Sequence, residues 1–251
     1  MVTCKPQAFV LVCLFFSFFA NAEDPPILMD SWIIDIKNDQ RIGFETALKS
    51  HLYQRSEADE PRDWWVYTPV TGGNMNRYII RSCCHTWKSF DQQREWQAEH
   101  LPDQSWVLLL DQYANNYSHK VSKVDFPNSH WPKGLLVPKL IGITEYQIIP
   151  GHDGAFQAAK TNMSQLAIAG EWKRGWLWVE TVTGENIETL MVLHSNFSDV
   201  APLKQGVFEV LSQQLGSELQ AEQLFDELFS HVSEENYQIY QARPDLFAVP
   251  E

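Results

Sequence analysis

The chain has 251 residues, of which 44% are hydrophobic, and this is enough for one large or two small globular domains. Its formal net charge of −13 repels phosphate backbones and anionic lipid, so nucleic acid and membrane surfaces are unsuitable partners. Only Cys83 and Cys84 lie beyond the first 13 residues, which excludes a framework of several disulfides in the body of the protein.

The N-terminal residues have the pattern of a secretory signal peptide. Lys5 precedes an apolar run from Ala8 to Ala20, and Ala20-Asn21-Ala22 offers a cleavage site. The apolar run is shorter than the roughly 20 residues that a membrane span requires. We therefore predict a signal peptide at 1–22, a linker at 23–29, and a periplasmic or secreted protein without membrane insertion after cleavage. An uncleaved anchor is the alternative.

The first half of the mature chain alternates strand and helix patterns. Phe44, Leu48, His51 and Leu52 recur at helical spacing, which predicts an amphipathic helix with His51 on its buried face. A Thr-Gly-Gly-Asn sequence separates two β-rich segments and favours a hairpin. In chain order, the predicted elements are a strand at Ser31–Lys37, a helix at Ile42–Ser56, strands at Asp63–Val70 and Arg77–His85, a helix from a cap at Asp103 to about Ser118, and a strand at Val121–Phe126.

The second half repeats this order. A shift of 112 residues places Arg62 on Arg174, Trp64 on Trp176, and one Val-Thr-Gly-x-Asn turn on the other. The predicted elements are strands at Ile141–Ile149, Gly175–Val182, Glu188–His194 and Tyr237–Ala242, and helices at Ala155–Ala169 and from about Gly206 to His231. We therefore predict two copies of one unit, at 30–137 and 138–251.

Each copy has the βαββαβ order of a ferredoxin-like unit. By this order and its duplication the chain resembles the dimeric α/β-barrel superfamily, which includes antibiotic-biosynthesis-monooxygenase-like and NIPSNAP-like proteins. The resemblance covers nearly the whole mature chain. It implies an α+β fold in which two tandem units with antiparallel sheets pack as an intrachain dimeric α/β barrel, and hence a monomer that is a pseudo-dimer.

Alternation along the strands assigns side chains to the two faces of each sheet. Trp32, Ile34 and Ile36 are expected to meet the helices, as are Trp65 and Tyr67 on the next strand. The opposite positions would then point into the space between the two sheets. That space is predicted to hold a ligand. With one histidine near the end of a third strand, the candidate ligand-binding residues are Trp64, Trp176, Trp178, Glu180, Glu145, Asp35 and His194.

The sequence offers no further site with a characteristic spacing. No metal-ligand or dinucleotide motif is present, so no metal and no cofactor are predicted. A metal or an axial haem site beside Glu145 or Glu180 is the alternative, as some members of the superfamily bind haem. Two free thiols are expected at Cys83 and Cys84, because a disulfide between neighbours requires strained peptide geometry. The difference between Ser82 and His194 favours the second copy as the place of a site.

Three functions remain open. The first is a binding module that holds a small, partly aromatic ligand between the two sheets. The second is a cofactor-independent monooxygenase-like enzyme in which groups such as Asp35, Glu145 or His194 move protons. The third is a structural or interaction protein whose barrel is filled by side chains. We predict the first, while the catalytic residues and any enzymatic activity stay unassigned, because fold alone does not choose among these functions.

Overall fold

The computed structural model describes residues 25–101, 105–134, 137–201, 203 and 205–247. The predicted signal peptide and the helix cap at Asp103 lie outside these residues. In chain order the elements are β1 Leu28–Ile36, α1 Arg41–Glu57, β2 Trp65–Pro69, β3 Arg77–His85, α2 Trp87–His100, α3 Trp106–Tyr113, β4 Ala114–His130, β5 Leu140–Ile148, α4 Asp153–Ala169, β6 Trp176–Thr181, β7 Ile187–His194, a 3-10 turn at Phe197–Val200, α5 Val207–Leu215, α6 Glu218–Phe229 and β8 Val232–Ala242.

Eight antiparallel strands form one closed barrel in the order β1-β3-β2-β8-β5-β7-β6-β4. Each unit contributes a four-stranded sheet, β4-β1-β3-β2 and β8-β5-β7-β6. The long last strand of each unit also pairs with the second strand of the other unit, β4 with β6 and β8 with β2. Both sheets therefore lose their free edges within one chain, as the duplicated pattern predicts.

The helices cover the outside of the barrel. Helix α1 packs Phe44 and Leu48 against Trp32 and Ile34 of β1, so the predicted face of that strand is confirmed. His51 is 5% exposed on the same helix and lies against the ring of Trp106. In the second unit, α4 packs Phe156 against Tyr146 of β5 in the same way. Each sheet thus has an apolar outer face buried under its own helices.

The assignment of faces on β2 and β6 was wrong. Trp65, Tyr67, Leu177 and Val179 belong to the apolar cluster inside the barrel. Their neighbours Trp64, Val66, Trp176 and Trp178 pack among the helices. All five residues of β2 are buried, so both of its faces carry large apolar side chains. Alternation separates two such faces but does not say which one points inward.

Three elements differ from their predicted extents. The helix predicted from Asp103 to about Ser118 is the short α3, and α2 precedes it without having been predicted. Strand β4 replaces the last predicted turn of that helix. In the second unit, the long predicted helix breaks into α5 and α6 at Gly216, whose φ of 66° ends a helix in the left-handed region. Strand β1 begins at Leu28, inside the predicted linker.

No helix within the described part of the chain is long and apolar enough to cross a bilayer.

Candidate functional site

The middle of the space between the sheets is nearly filled. The cavity inside the barrel has a volume of about 50 Å³, which holds a water molecule or two but no aromatic ring. Glu145 lies beside it, 3.9 Å from the ammonium of Lys120. Asp35 accepts hydrogen bonds from Arg77 at 2.8 Å and from Asn74 at 2.7 Å. The carboxylates of both candidates therefore already interact with neighbouring side chains of the protein.

The candidate tryptophans lie on the outer faces of the sheets, which corrects their expected place between the sheets. Trp176 donates its indole N–H to the Asn128 carbonyl at 2.9 Å, and Trp178 donates to the Ser164 hydroxyl at 3.1 Å. Both indole N–H groups therefore have hydrogen-bond acceptors, and both rings belong to the core of the second unit. Glu180 comes two residues after Trp178 on β6 and therefore lies on the same outer face, where it is exposed. Whether any of them contacts a ligand stays a prediction.

His194 lies at the end of β7 and is 6% exposed. Its Nδ1 is 3.0 Å from the guanidinium of Arg174. Burial, followed by the charge of Arg174, lowers the pKa of His194. The ring is therefore neutral near pH 7, and a neutral Nδ1 accepts a hydrogen bond from Arg174. This histidine forms a small polar cluster but no catalytic pair with the other candidates.

A larger pocket opens on the outer face of the first sheet, under α2 and α3. Its volume is about 630 Å³. We name it the Arg62 pocket. Much of its wall is aromatic, and one side is formed by an aspartate–arginine ion pair and a histidine. The residues that carry the argument are Trp32, Trp64, Phe90, Trp106, Asp30, Arg62 and His119.

An acid, a base and a cation meet at one end of this pocket. Asp30 of β1 accepts hydrogen bonds from Nη1 of Arg62 through one oxygen, and its other oxygen lies 2.5 Å from Nε2 of His119. Asp30 is 2% exposed, whereas the His119 side chain is 41% exposed. The His119 ring stacks on Trp32 with centroids 4.3 Å apart. The carboxylate thus fixes both the guanidinium and the imidazole.

The register of the sheet brings these groups together. Asp30 and Trp32 alternate with lumen-facing residues on β1, and His119 lies directly across from Trp32 on β4. Arg62 comes from the segment before β2, and its guanidinium carbon lies 4.2 Å from the centroid of the Phe90 ring on α2. The site therefore depends on two strands, the segment before a third strand and a helix, which are far apart in sequence.

Unpaired hydrogen-bonding atoms concentrate here. Seven buried side-chain atoms in the described residues have no hydrogen-bond partner, and five of them belong to residues that line the Arg62 pocket. They are Nε and Nη2 of Arg62, the indole nitrogens of Trp64 and Trp106, and Oε1 of Gln93. Buried polar atoms are usually satisfied. Four of the five atoms are donors, so the surroundings of this pocket are short of hydrogen-bond acceptors.

Burial also changes the titration of the groups around Arg62. Burial lowers the pKa of Arg62, while the charge of Asp30 raises it, and a guanidinium stays protonated in either case. Burial, with the added effect of the Arg62 charge, lowers the pKa of His85 to about 4. His85 is therefore neutral at pH 7, and its Nε2 lies 2.8 Å from the Ser82 hydroxyl. Arg62 therefore keeps its positive charge at pH 7, whereas the nearby His85 is neutral.

Sequence reasoning found part of this site. The repeat identified Arg62 as a position shared by the two copies, and Trp64 was a candidate on the wrong face. Asp30 and His119 were missed. The one signal for Asp30 is an acidic residue at an outward position of an otherwise apolar strand. For His119 no signal existed, because β4 was predicted to start at Val121.

Within the residues that the structure describes, no three histidine, cysteine or acidic side chains are close enough to hold a metal ion. Glu145, beside which a metal or haem was the alternative, lies 3.9 Å from the ammonium of Lys120.

Known proteins share the architecture and little of the sequence. Neither a protein-family model nor a curated protein matches the chain. Two solved structures, each described as a putative monooxygenase, superpose on it. The one from Fusobacterium nucleatum has a TM-score of 0.57 and 10% identity, and covers 87% of this chain and 93% of its own. The one from Lactobacillus acidophilus has a TM-score of 0.52 and 9% identity, over 87% and 94%.

The chain has the dimeric α/β-barrel fold. This confirms the resemblance predicted from element order and duplication. At about 10% identity the likeness concerns the fold alone. In this dimeric α/β barrel the two sheets come from one chain, and side chains occupy the middle of their common interior. A pocket in which an acid, a base and a cation meet lies between the first sheet and its helices.

Proposed function

We propose that the protein binds a small aromatic ligand with an anionic oxygen group in the Arg62 pocket. The observation that carries the proposal is the unpartnered Nε and Nη2 edge of Arg62. These two nitrogens form the side of a guanidinium that grips a carboxylate through two parallel hydrogen bonds. Nη1, on the other side, is already engaged by Asp30.

The walls of the pocket suit a flat apolar body. Trp64 and Trp106 meet edge to face with centroids 5.2 Å apart, and their indole N–H groups have no acceptor among the described residues. Aromatic walls bury a ring over a large area. An acceptor-bearing ligand would satisfy donors that cost about 1–3 kcal/mol each when buried unpaired. Shape and hydrogen bonding therefore favour the same class of ligand.

The proposed place of binding differs from the place expected from the sequence. The cavity of about 50 Å³ in the middle of the barrel is too small for an aromatic molecule, whereas the Arg62 pocket offers about 630 Å³. The ligand class, small and partly aromatic, stays as proposed. The filled middle of the barrel supports the third hypothesis for that part of the molecule alone.

One observation favours a second candidate function, a cofactor-independent monooxygenase. Asp30 fixes Nε2 of the half-exposed His119, which leaves Nδ1 as the ring nitrogen available to a ligand at the pocket wall. A histidine held in this way by a carboxylate is a suitable base for a phenol. Removal of the phenol proton would permit reaction with O₂, in which one oxygen atom enters the ring to give a quinone and the other leaves as water.

We further propose that the protein is exported and acts as a monomer. The N-terminal pattern supports export, and the disulfide between Cys83 and Cys84 suits an oxidising compartment. The barrel that closes within one chain supports the monomer. The mass of the protein recovered from its host and a sedimentation experiment test both, since a chain that keeps its first 22 residues or sediments as a dimer contradicts the proposal.

Titration with 1-naphthoate tests the binding proposal. Binding is followed by calorimetry and by quenching of tryptophan fluorescence. Arg62→Lys keeps the charge beside Asp30 but removes the two-nitrogen edge, so we expect affinity to fall at least about tenfold. Arg174→Lys, the same change at the equivalent repeat position, is the matched control and should leave affinity within about twofold. Equal binding by the wild type and Arg62→Lys would refute the proposal.

Oxygen uptake tests the second candidate. Wild-type protein is mixed with 1-naphthol in an oxygen electrode, with quinone followed by absorbance. His119→Asn should abolish turnover if His119 is the base, while naphthoate binding through Arg62 persists. Binding without oxygen uptake in the wild type leaves the binding function and excludes the oxidation of this phenol.

A further inference from the structure

A second pocket opens on the lumen side of the first sheet, at one end of the barrel. It has a volume of about 400 Å³, and we name it the disulfide pocket. Its wall is largely apolar, with Trp65, Leu177 and Trp131 among its residues, and it includes both Cys83 and Cys84. This pocket and the Arg62 pocket share no lining residue.

Cys83 and Cys84 form a disulfide, so the expectation of two free thiols was wrong. The register of β1 and β3 is irregular here, because Met29 pairs with Cys83 and Leu28 with His85, which leaves Cys84 without a partner in the ladder. Such a bulge suspends the alternation that would send neighbouring side chains to opposite faces. Both cysteines therefore line the same pocket.

A buried cation lies at the inner end of the disulfide pocket. Arg81 of β3 is 3% exposed, and its guanidinium donates to the Met191 sulfur at 3.0 Å and to the Tyr67 hydroxyl at 3.1 Å. Both acceptors are neutral, and Arg81 has no carboxylate within ion-pair distance among the described residues. The Tyr67 ring, 4.5 Å from the guanidinium carbon, offers partial compensation.

The surroundings of Arg81 select an anion. A buried charge without a counter-ion costs several kcal/mol. The lining residues of the disulfide pocket include Arg81 and Lys133 but no aspartate or glutamate, although the chain as a whole carries a net charge of −13. Arg81 also borders the small cavity in the barrel, whose wall includes the hydroxyls of Ser31 and Ser122 and the carboxylate of Glu145, which is paired with Lys120. An anionic group at Arg81 would find hydrogen-bond donors on that side.

We propose that the disulfide pocket binds an organic monoanion, with its apolar body against Trp65 and the disulfide and its anionic group at Arg81. This is a site separate from the Arg62 pocket. The apolar body covers the Cys83–Cys84 disulfide, because that disulfide forms part of the wall it contacts. Occupancy therefore shields the disulfide from a reductant in solution.

The shielding gives a readout specific to this pocket. The full chain is treated with dithiothreitol in the presence of increasing 1-naphthalenesulfonate, and the freed thiols are alkylated and quantified on the peptide that contains Cys83 and Cys84. At saturation we expect reduction to slow at least about tenfold in the wild type, and less than about twofold in Arg81→Met, which lacks the cation. The uncharged 1-naphthalenemethanol, the matched control ligand, should not protect.

A second variant covers the case in which Arg81→Met does not fold. Lys133 is exposed at the mouth of the disulfide pocket, so Lys133→Glu leaves the core intact and should raise the half-protecting concentration at least about threefold by repulsion. Arg62→Lys should be protected like the wild type, whether or not the Arg62 pocket binds naphthoate. The proposal would be overturned if 1-naphthalenesulfonate did not protect the wild type, or if it protected Arg81→Met or Lys133→Glu as well as the wild type. Protection by the alcohol would also overturn it.

Discussion

Arg62 and Arg174 occupy the same position in the two copies of the repeat, yet they bind different partners. Arg62 donates to the buried carboxylate of Asp30, whereas Arg174 contacts Nδ1 of His194 at 3.0 Å and the Ala201 carbonyl at 2.8 Å. The cause lies on the neighbouring strands. The repeat position of Asp30 holds Gly142 in the second unit, which removes the carboxylate and turns the second arginine toward other acceptors.

This difference predicts unequal effects of the same substitution. Arg62→Met leaves Asp30 buried with His119 as its remaining partner, and we expect the free energy of unfolding to fall by about 3 kcal/mol. Arg174→Met leaves no buried acid without a partner, because the Asp199 side chain is 37% exposed. We therefore expect its free energy of unfolding to fall by only about 1 kcal/mol. Urea denaturation measures both. If the unpaired carboxylate of Asp30 is the cause, adding Asp30→Asn to Arg62→Met should restore much of the lost stability. Equal losses in the two arginine variants would contradict this cause.

Lys160 joins the two units in a buried ion cluster. Its ammonium is fully buried, 2.8 Å from Asp125 of β4 and 3.3 Å from Glu188 of β7. Lys160→Met removes the one cation of this cluster, and we expect a loss of about 3–5 kcal/mol. With Glu188→Gln added, the double variant should lose less than the sum of the single losses, because one uncompensated acid has gone. Additive losses in a urea double-mutant cycle would show that the cluster is not coupled.

Glu188 makes stability depend on pH. Burial, despite the opposing charge of Lys160, raises the pKa of Glu188 from 4.5 to about 7. Between these values the folded protein holds a proton that the unfolded chain releases. The contribution of Glu188 is therefore complete below pH 4.5 and is lost as the pH rises through 7.

Comparison with Glu188→Gln isolates this effect. From pH 4.5 to 7 the free energy of unfolding of the wild type should decrease by roughly 3 kcal/mol relative to the variant. The opposite slope expected from His85, whose pKa is lowered to about 4, is present in both proteins and cancels in the difference. A difference independent of pH would show that Glu188 titrates normally.

The architecture could be predicted from the sequence because local patterns and the repeat agree. Arg77–His85 has the same bounds in prediction and structure, and its hairpin partner and both first helices were found. Duplication then implied two sheets that close on each other. Each of these inferences needs only the spacing of apolar residues and the position of a turn.

The candidate site could not be predicted to the same degree, because it depends on strand register and on which face points outward. Trp64 and Trp65 are both buried, so the residue types of β2 do not show which set of alternating side chains points into the barrel. Asp30 and His119 meet because β4 begins at Ala114, seven residues before its predicted start. A pairing between strands 89 residues apart leaves no local trace in the sequence.

Gly142 provides a last test of how the two units diverged. A Cβ at this position would lie 2.7 Å from the Tyr237 hydroxyl, which is closer than side chains pack, and 3.0 Å from Nε2 of His194, which is tighter than most contacts. His194 is buried and hydrogen-bonded to Arg174, which restricts its movement. Gly142→Ala should therefore lower the free energy of unfolding by about 1–3 kcal/mol.

The matched control is Gly154→Ala on α4, where a Cβ would meet nothing within 4 Å. That variant should be neutral or more stable by up to about 1 kcal/mol, because alanine favours a helix. Adding Tyr237→Ser to Gly142→Ala removes the nearest contact, so the double variant should lose less than the sum of the single losses in urea denaturation. If Gly142→Ala matched Gly154→Ala, the tyrosine and histidine would not occupy the space that Asp30 fills in the first unit.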